Sequence, residues 1–299
     1  MLEHNDTQYN GTYVVTCSRN PLCLSTDIQV IMIMLNFFSF VLNLFHLIIL
    51  TSISSLKRSP FMTSMKAIAL TDMLYSLSLM LSLSCNLREV SRKSYALSAV
   101  LSGQMAFAMF LRYFYLATAM VERLISTCRY SSGETLKQLH WVFFGEAIII
   151  ATLVTTKESL YYEHICYSTI IGPVNITHPV THLICLIGLC IPVSITVVTV
   201  PVLLFQLRHL SNNSVTNNMK SMVAATKYVI IIGLAFLLLP FTLVLVIVYK
   251  GRWNDIYNIV VFTAQSLYGI VNTLTYGLMS KVYRRHLARI ANRMFNSSP

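Results

Sequence analysis

The residues of this 299-residue chain best suited to chemistry are charges set inside apolar runs. The stretch from Ala106 to Tyr130, AFAMFLRYFYLATAMVERLISTCRY, holds four: Arg112 within its apolar part, the pair Glu122-Arg123 near its end, and Arg129 in the polar run that closes it. Asp72 lies in another apolar run, within LTDML, and Glu146 in a third. A charge in hydrocarbon is expensive, so it faces the interior of a helix bundle and pairs there. Arg112 precedes Arg123 by eleven residues. That is close to three whole turns, so the two share one stripe of a helix, with Arg112 about 16 Å above the end. The run holding Asp72 travels the other way and puts Asp72 about 15 Å deep. The matching depths predict an Asp72–Arg112 salt bridge, with Glu146 as the rival partner for Arg112. A charged pair closing an apolar span marks a cytoplasmic membrane exit, and Arg123 is the residue a signalling partner is expected to contact.

Other chemistries find less support. The seven cysteines are scattered with no CxxC pair, which argues against zinc or redox chemistry. The eight histidines are dispersed and form no HExxH motif. His46 and His140 are isolated and read as packing or interfacial residues. No metal, cofactor or enzymatic activity is expected.

The elements that position these residues follow from composition. The chain is 55% hydrophobic and 11% charged, with mean hydropathy +0.64. Soluble domains carry about 25% charged residues, so this chain reads as an integral membrane protein in a lipid bilayer. The net charge of +11 is not a nucleic-acid signal, because the basic residues sit mostly between and after the apolar runs. Seven runs of membrane-spanning length fall at 28–52, 63–86, 96–128, 139–157, 181–207, 223–249 and 257–279. The predicted fold is an all-α membrane protein, a seven-transmembrane helix bundle with a short amphipathic cytoplasmic eighth helix. Residues 1–27 form an extracellular segment, 28–279 the transmembrane domain, and 280–299 a cytoplasmic helix and tail. Pro192 and Pro201 in the fifth run are compatible with a spanning helix. No signal-peptide pattern is read near residue 1, so the first apolar run is expected to serve as the targeting signal.

Orientation follows from the basic residues. With the N-terminus outside, fourteen Lys and Arg lie on the inner side and seven on the outer, Arg112 being the remaining one of the 22. The sequons at Asn5, Asn10 and Asn175 then fall outside as glycosylation sites, while those at Asn212 and Asn296 fall inside and are read as chance. In SKVYRRHLARIANRMF, Val282, Leu287, Ile290 and Met294 share one helical face, and Arg284, Arg285, Arg289 and Arg293 surround the other. That pattern predicts a basic amphipathic helix on the anionic inner leaflet.

Six motifs, in order along the spans, resemble the rhodopsin-like class of G-protein-coupled receptors: Asn43 on span one, Asp72 in LTDML on span two, Glu122-Arg123-Leu124 like D/E-R-Y on span three, Trp141 on span four, Pro240 in FLLLPF on span six, and NTLTY, Asn272 to Tyr276, like NPxxY on span seven. The resemblance covers about residues 28–293. The departures are Leu124 for the motif Tyr, Thr273 for the motif Pro, Leu238 where the sixth helix often has Trp, and Ser98 where span three usually has Cys. This erosion resembles the divergent chemosensory branches, odorant-receptor-like ones especially, although the longer odorant-receptor signatures are missing.

The resemblance implies a plasma-membrane receptor that binds a small organic ligand from outside and activates a heterotrimeric G protein, with olfaction as the sensory setting. It implies a coupling switch of Glu122, Arg123, Asn272 and Tyr276, with Glu122 holding Arg123 at rest. It implies a ligand lining of Met105, Ala108, Met109, His182, Cys185, Phe241, Thr242, Leu245, Phe262, Gln265 and Ser266. The family's Asp commonly holds a sodium ion; here Arg112 falls at the neighbouring position, so its guanidinium would replace that ion. With no Cys at Ser98, Cys85 is the substitute partner for Cys166 in a disulfide. Cys17 and Cys23 form an alternative pair, or either enters the first. The other readings are a rhodopsin-like receptor for a non-odorant ligand and a small transporter, against which stand the odd span count and the lack of two related halves.

Overall fold

A computed structural model describes residues 8–9, 12–13, 26–53, 60–87, 95–127, 141–142, 144–153, 156, 179–212, 217–248 and 255–296. Apolar chain in a bilayer must satisfy its backbone polar groups within each segment, and helices result. They are α1 (Thr26–Ser52), α2 (Pro60–Leu87), α3 (Tyr95–Thr127), α4 (Phe144–Leu153), α5 (Pro179–Asn212), α6 (Asn217–Val248), α7 (Asp255–Met279) and α8 (Lys281–Asn296). Their ends carry local signals. Asp27 sits in the first turn of α1, where a carboxylate meets the positive end of the helix dipole. Pro60 opens α2, a place where its missing N–H costs nothing. Ser280, the one non-helical residue between α7 and α8, accepts the Tyr283 N–H on Oγ at 3.3 Å and so caps α8.

The helices form one bundle. α2 packs on α1 and α3, α3 on α5, α5 on α6, α6 on α7, and α7 returns to α1, while α3 also meets α6. α3 is the central post: 78% of its spanning window is buried, against 33% for α1. The outward faces are apolar, with Ile31, Val198, Phe205, Leu238 and Leu278 all exposed, as expected of surface that meets lipid tails. Close approaches need small residues. A Cβ on Gly188 of α5 would lie 2.8 Å from Ile150 Cδ1 of α4, and one on Gly233 of α6 would lie 2.1 Å from Met120 Cε of α3.

Four helices among the described residues are long and apolar enough to cross a bilayer: Asp27–Ser52, Phe61–Ser84, Gly103–Thr127 and Ile187–Arg208. The described apolar part of α4 has only Phe144–Leu153, and that of α6 is Met222–Leu238. The all-α architecture is accompanied by one short hairpin before α1. Gln8–Tyr9 and Thr12–Tyr13 pair as short antiparallel strands, Gln8 opposite Tyr13 and Tyr9 opposite Thr12. They flank Asn10-Gly11, the dipeptide best suited to a two-residue hairpin turn. Tyr283 is buried and Ile290 packs against the core, while Val282 and Leu287 are exposed. The bundle takes one edge of α8, and the remaining apolar residues are left for lipid.

Candidate functional site: a buried charge network

Arg112 is the largest fully buried side chain among the described residues, at 1% exposure. It projects from the middle of α3 toward α2 and α7. Its Nη1 donates to Asp72 Oδ1 at 2.8 Å and to the Gln265 carbonyl at 3.4 Å, and its Nη2 donates to Gln265 Oε1. Asp72 is equally enclosed. Of the two partners weighed for Arg112, the structure brings Asp72 to it. Glu146 instead sits half-buried at the α4–α5 contact, its Oε1 3.6 Å from where a Cβ on Gly188 would lie.

Three tyrosines enclose the guanidinium: its Cζ lies 5.3 Å from the ring centre of Tyr75, 5.5 Å from Tyr113 and 5.1 Å from Tyr268. Ring faces at this range stabilise a desolvated cation. Gln265 Nε2 donates to the Tyr113 hydroxyl at 2.6 Å, so the whole Gln265 amide is engaged. Gln265 was expected to face a ligand; it serves as the third arm of the charge pair. An Arg has five N–H donors and one carboxylate cannot satisfy them, so a neutral amide at this depth is what burial demands. The tyrosines and Gln265 were the partners that sequence reasoning missed. Their only signal was a polar residue, or a ring with a hydroxyl, inside an apolar run.

The network continues to α6, and further bonds beside it join α1 to α2 and α7. Asn272 Nδ2 donates to Asp72 Oδ2 at 3.3 Å and Asn272 Oδ1 accepts from the Tyr228 hydroxyl of α6. Asn43 of α1 donates to the Ser39 carbonyl at 2.9 Å and accepts from Thr273 Oγ1 at 2.8 Å. Ser76 Oγ donates to Ser39 Oγ at 3.0 Å. Ser266 Oγ donates to Asn36 Oδ1 at 2.8 Å, which turns this expected ligand contact toward α1. Thr273, where the resembling motif has Pro, thus supplies a hydroxyl bond between α7 and α1. Gly269 makes room for the junction: a Cβ there would lie 3.2 Å from Asn43 Nδ2 and Ser39 Oγ, and 3.3 Å from Asp72 Cγ.

At the other end of α3, Glu122 and Arg123 do not pair. Among the described residues the ion pair is Asp72–Arg112. The Glu122 carboxylate lies near the start of α2 at Phe61, while the Arg123 guanidinium lies over the Phe61 ring, 3.7 Å from its centre. Glu122 therefore makes no salt bridge to Arg123, although their charges still act on each other. Neighbouring residues on a helix point about 100° apart and do not face each other. Tyr276 stands edge-on to Tyr228 at 5.1 Å and donates to Met62 Sδ at 3.3 Å.

His46, read as isolated, is fully buried, and its Nδ1 is hydrogen-bonded to the Tyr283 hydroxyl at 3.1 Å. Ser52 Oγ meets His286 Nε2 at 2.7 Å. These two bonds tie α8 to α1, and burial pushes the Tyr283 phenol up to about 12.

Of the remaining expected ligand residues, Met105, Ala108, Met109 and Phe262 are buried and belong with the packing around α3 and α7. The side chains of His182, Cys185, Phe241, Thr242 and Leu245, the Cys85 side chain with Cys166, and the sequons at Asn5, Asn10 and Asn175 lie outside the described residues. No group of three or more metal-binding side chains occurs among the described residues.

The chain matches no protein-family model and no curated protein.

Proposed function

We propose that the chain is a rhodopsin-like, seven-span G-protein-coupled receptor of a chemosensory, odorant-receptor-like kind, lying in the plasma membrane with its N-terminus outside. A small organic ligand enters from the outer side and a heterotrimeric G protein binds at the inner end of α3. The observation that supports this reading is the convergence of the motif residues. Asp72 and Asn272 share a hydrogen-bonded network with Arg112, and Asn43 and Thr273 bond to each other in a second cluster beside it, at Gly269. Together the two clusters join five helices through bonds that have discrete alternatives, which is what a two-state switch requires. In this reading Asp72–Arg112 fixes the resting arrangement in the membrane, the guanidinium standing where a sodium ion would otherwise sit, and Arg123 is the contact for the G protein.

The test is second-messenger output from cells expressing the chain, with Arg123→Ala alongside, against a panel of small odorants and acids. A response present in the wild type and absent in Arg123→Ala at equal surface expression is the expected result. A response that survives Arg123→Ala would overturn the reading.

A further inference from the structure

Phe61 lies beside both halves of the Glu122-Arg123 pair. α2 begins at Pro60, so the Phe61 N–H belongs to the first turn and has no partner within its own helix. Glu122 of α3 lies near it, and a carboxylate at a helix N-terminus meets the favourable end of the dipole. The Phe61 side chain then extends under Arg123, its ring centre 3.7 Å from the guanidinium carbon, and meets Tyr228 of α6 edge-on at 6.4 Å. Phe61 is 3% exposed, whereas Arg123 is half-buried and Arg284 of α8 is exposed. Arg123 Nε and Glu122 Oε2 are buried without a hydrogen-bond partner. Each charge therefore lies beside α2 while part of its bonding capacity is left over.

We propose that Phe61 is a latch that keeps Arg123 covered from the cytoplasm, the ring holding the guanidinium. Moving the start of α2 relative to α3 uncovers the guanidinium, which is then free to pair with Glu122 or with an incoming partner. The regulatory meaning of the latch rests on the receptor reading; the cover itself does not.

The experiment is modification of Arg123 by phenylglyoxal, an arginine-selective reagent, in membrane fragments open on both sides. Peptide mass spectrometry follows Arg123, with Arg284 as the internal reference. Phe61→Leu keeps most of the volume and removes the ring. It is expected to speed modification of Arg123 relative to Arg284 by about 2- to 30-fold, the range a lost cation–π contact allows. Phe61→Trp keeps a ring face and is expected to hold the wild-type rate. Phe61→Met serves in place of Phe61→Leu should that variant fail to reach the membrane. Equal rates in Phe61→Leu and wild type, or a Phe61→Trp rate as fast as Phe61→Leu, overturn the latch. The signalling assay separates the two ideas. A ligand response lost in Arg123→Ala with no acceleration in Phe61→Leu sinks the latch and leaves the receptor. Acceleration with a response that survives Arg123→Ala keeps the cover and sinks the receptor.

Discussion

Removing the Asp72 charge is the most informative single perturbation of this protein. Asp72→Asn preserves shape and leaves Arg112 about 1% exposed with no anion beside it. Breaking a buried pair from one side costs about 3–5 kcal/mol, because the remaining charge keeps its desolvation penalty. Gln265 still accepts two guanidinium bonds, and three rings still face it, which places the expected loss near the lower end, about 3 kcal/mol. Arg112→Gln is expected to cost a similar amount by stranding Asp72 with only Asn272 as donor. The double variant is neutral at both positions and is expected to recover about 2 kcal/mol of the summed loss, since a neutral replacement of a buried pair is often tolerated. At about 2–4 °C per kcal/mol, each single variant should lower the unfolding temperature in lipid nanodiscs by about 6–12 °C, and the double by less than the two together. Surface fraction in cells should follow the same order. Two strictly additive single losses, with a coupling below about 0.5 kcal/mol, would refute the reasoning, as would a harmless Asp72→Asn.

Three other outcomes follow from the geometry. Gly269→Ala should cost about 1–3 kcal/mol by overpacking, because its methyl meets Asn43, Ser39 and Asp72 at 3.2–3.3 Å, whereas Gly145→Ala, with nothing within 4 Å, should leave the unfolding temperature unchanged. Tyr283→Phe should weaken α8 docking by about 1 kcal/mol, read as faster hydrogen exchange in α8. With the docked phenol raised to about 12 by burial and a free phenol near 10, the undocked state releases its proton first. Docking is thus complete below about pH 10 and weakens as pH rises toward 12, a decline that Tyr283→Phe should remove. Replacing sodium by N-methylglucamine at constant ionic strength should change neither unfolding temperature nor any signalling response, since Arg112 already neutralises Asp72; a sodium-dependent shift would show the pair opening to admit the ion.

The sequence by itself determined where the long apolar helices among the described residues run and how far along them the charges lie. Both are properties of distance along the chain: an apolar run of bilayer length favours a helix, and each residue advances it about 1.5 Å. Asp72 and Arg112 could therefore be set at matching depth, with Glu146 left as a rival until the packing chose. The same reasoning could not choose what completes the site. Gln265 and Asn272 lie on α7, far along the chain, and Tyr268 and Tyr228 are ordinary aromatic residues in apolar helices until rotation about each axis points them inward. Gln265 and Ser266 were polar in an apolar helix, a pattern equally suited to ligand contact and to interhelical bonding. Glu122 and Arg123 show the limit most plainly. They are adjacent in sequence, yet the helix turns them about 100° apart, and α2 supplies the Phe61 ring as the partner of Arg123. His46 likewise acquires a partner only because α8 folds back against α1. Depth is written locally in the chain, whereas azimuth and neighbour are set by the packing of helices on one another, and those two decided the chemistry of this core.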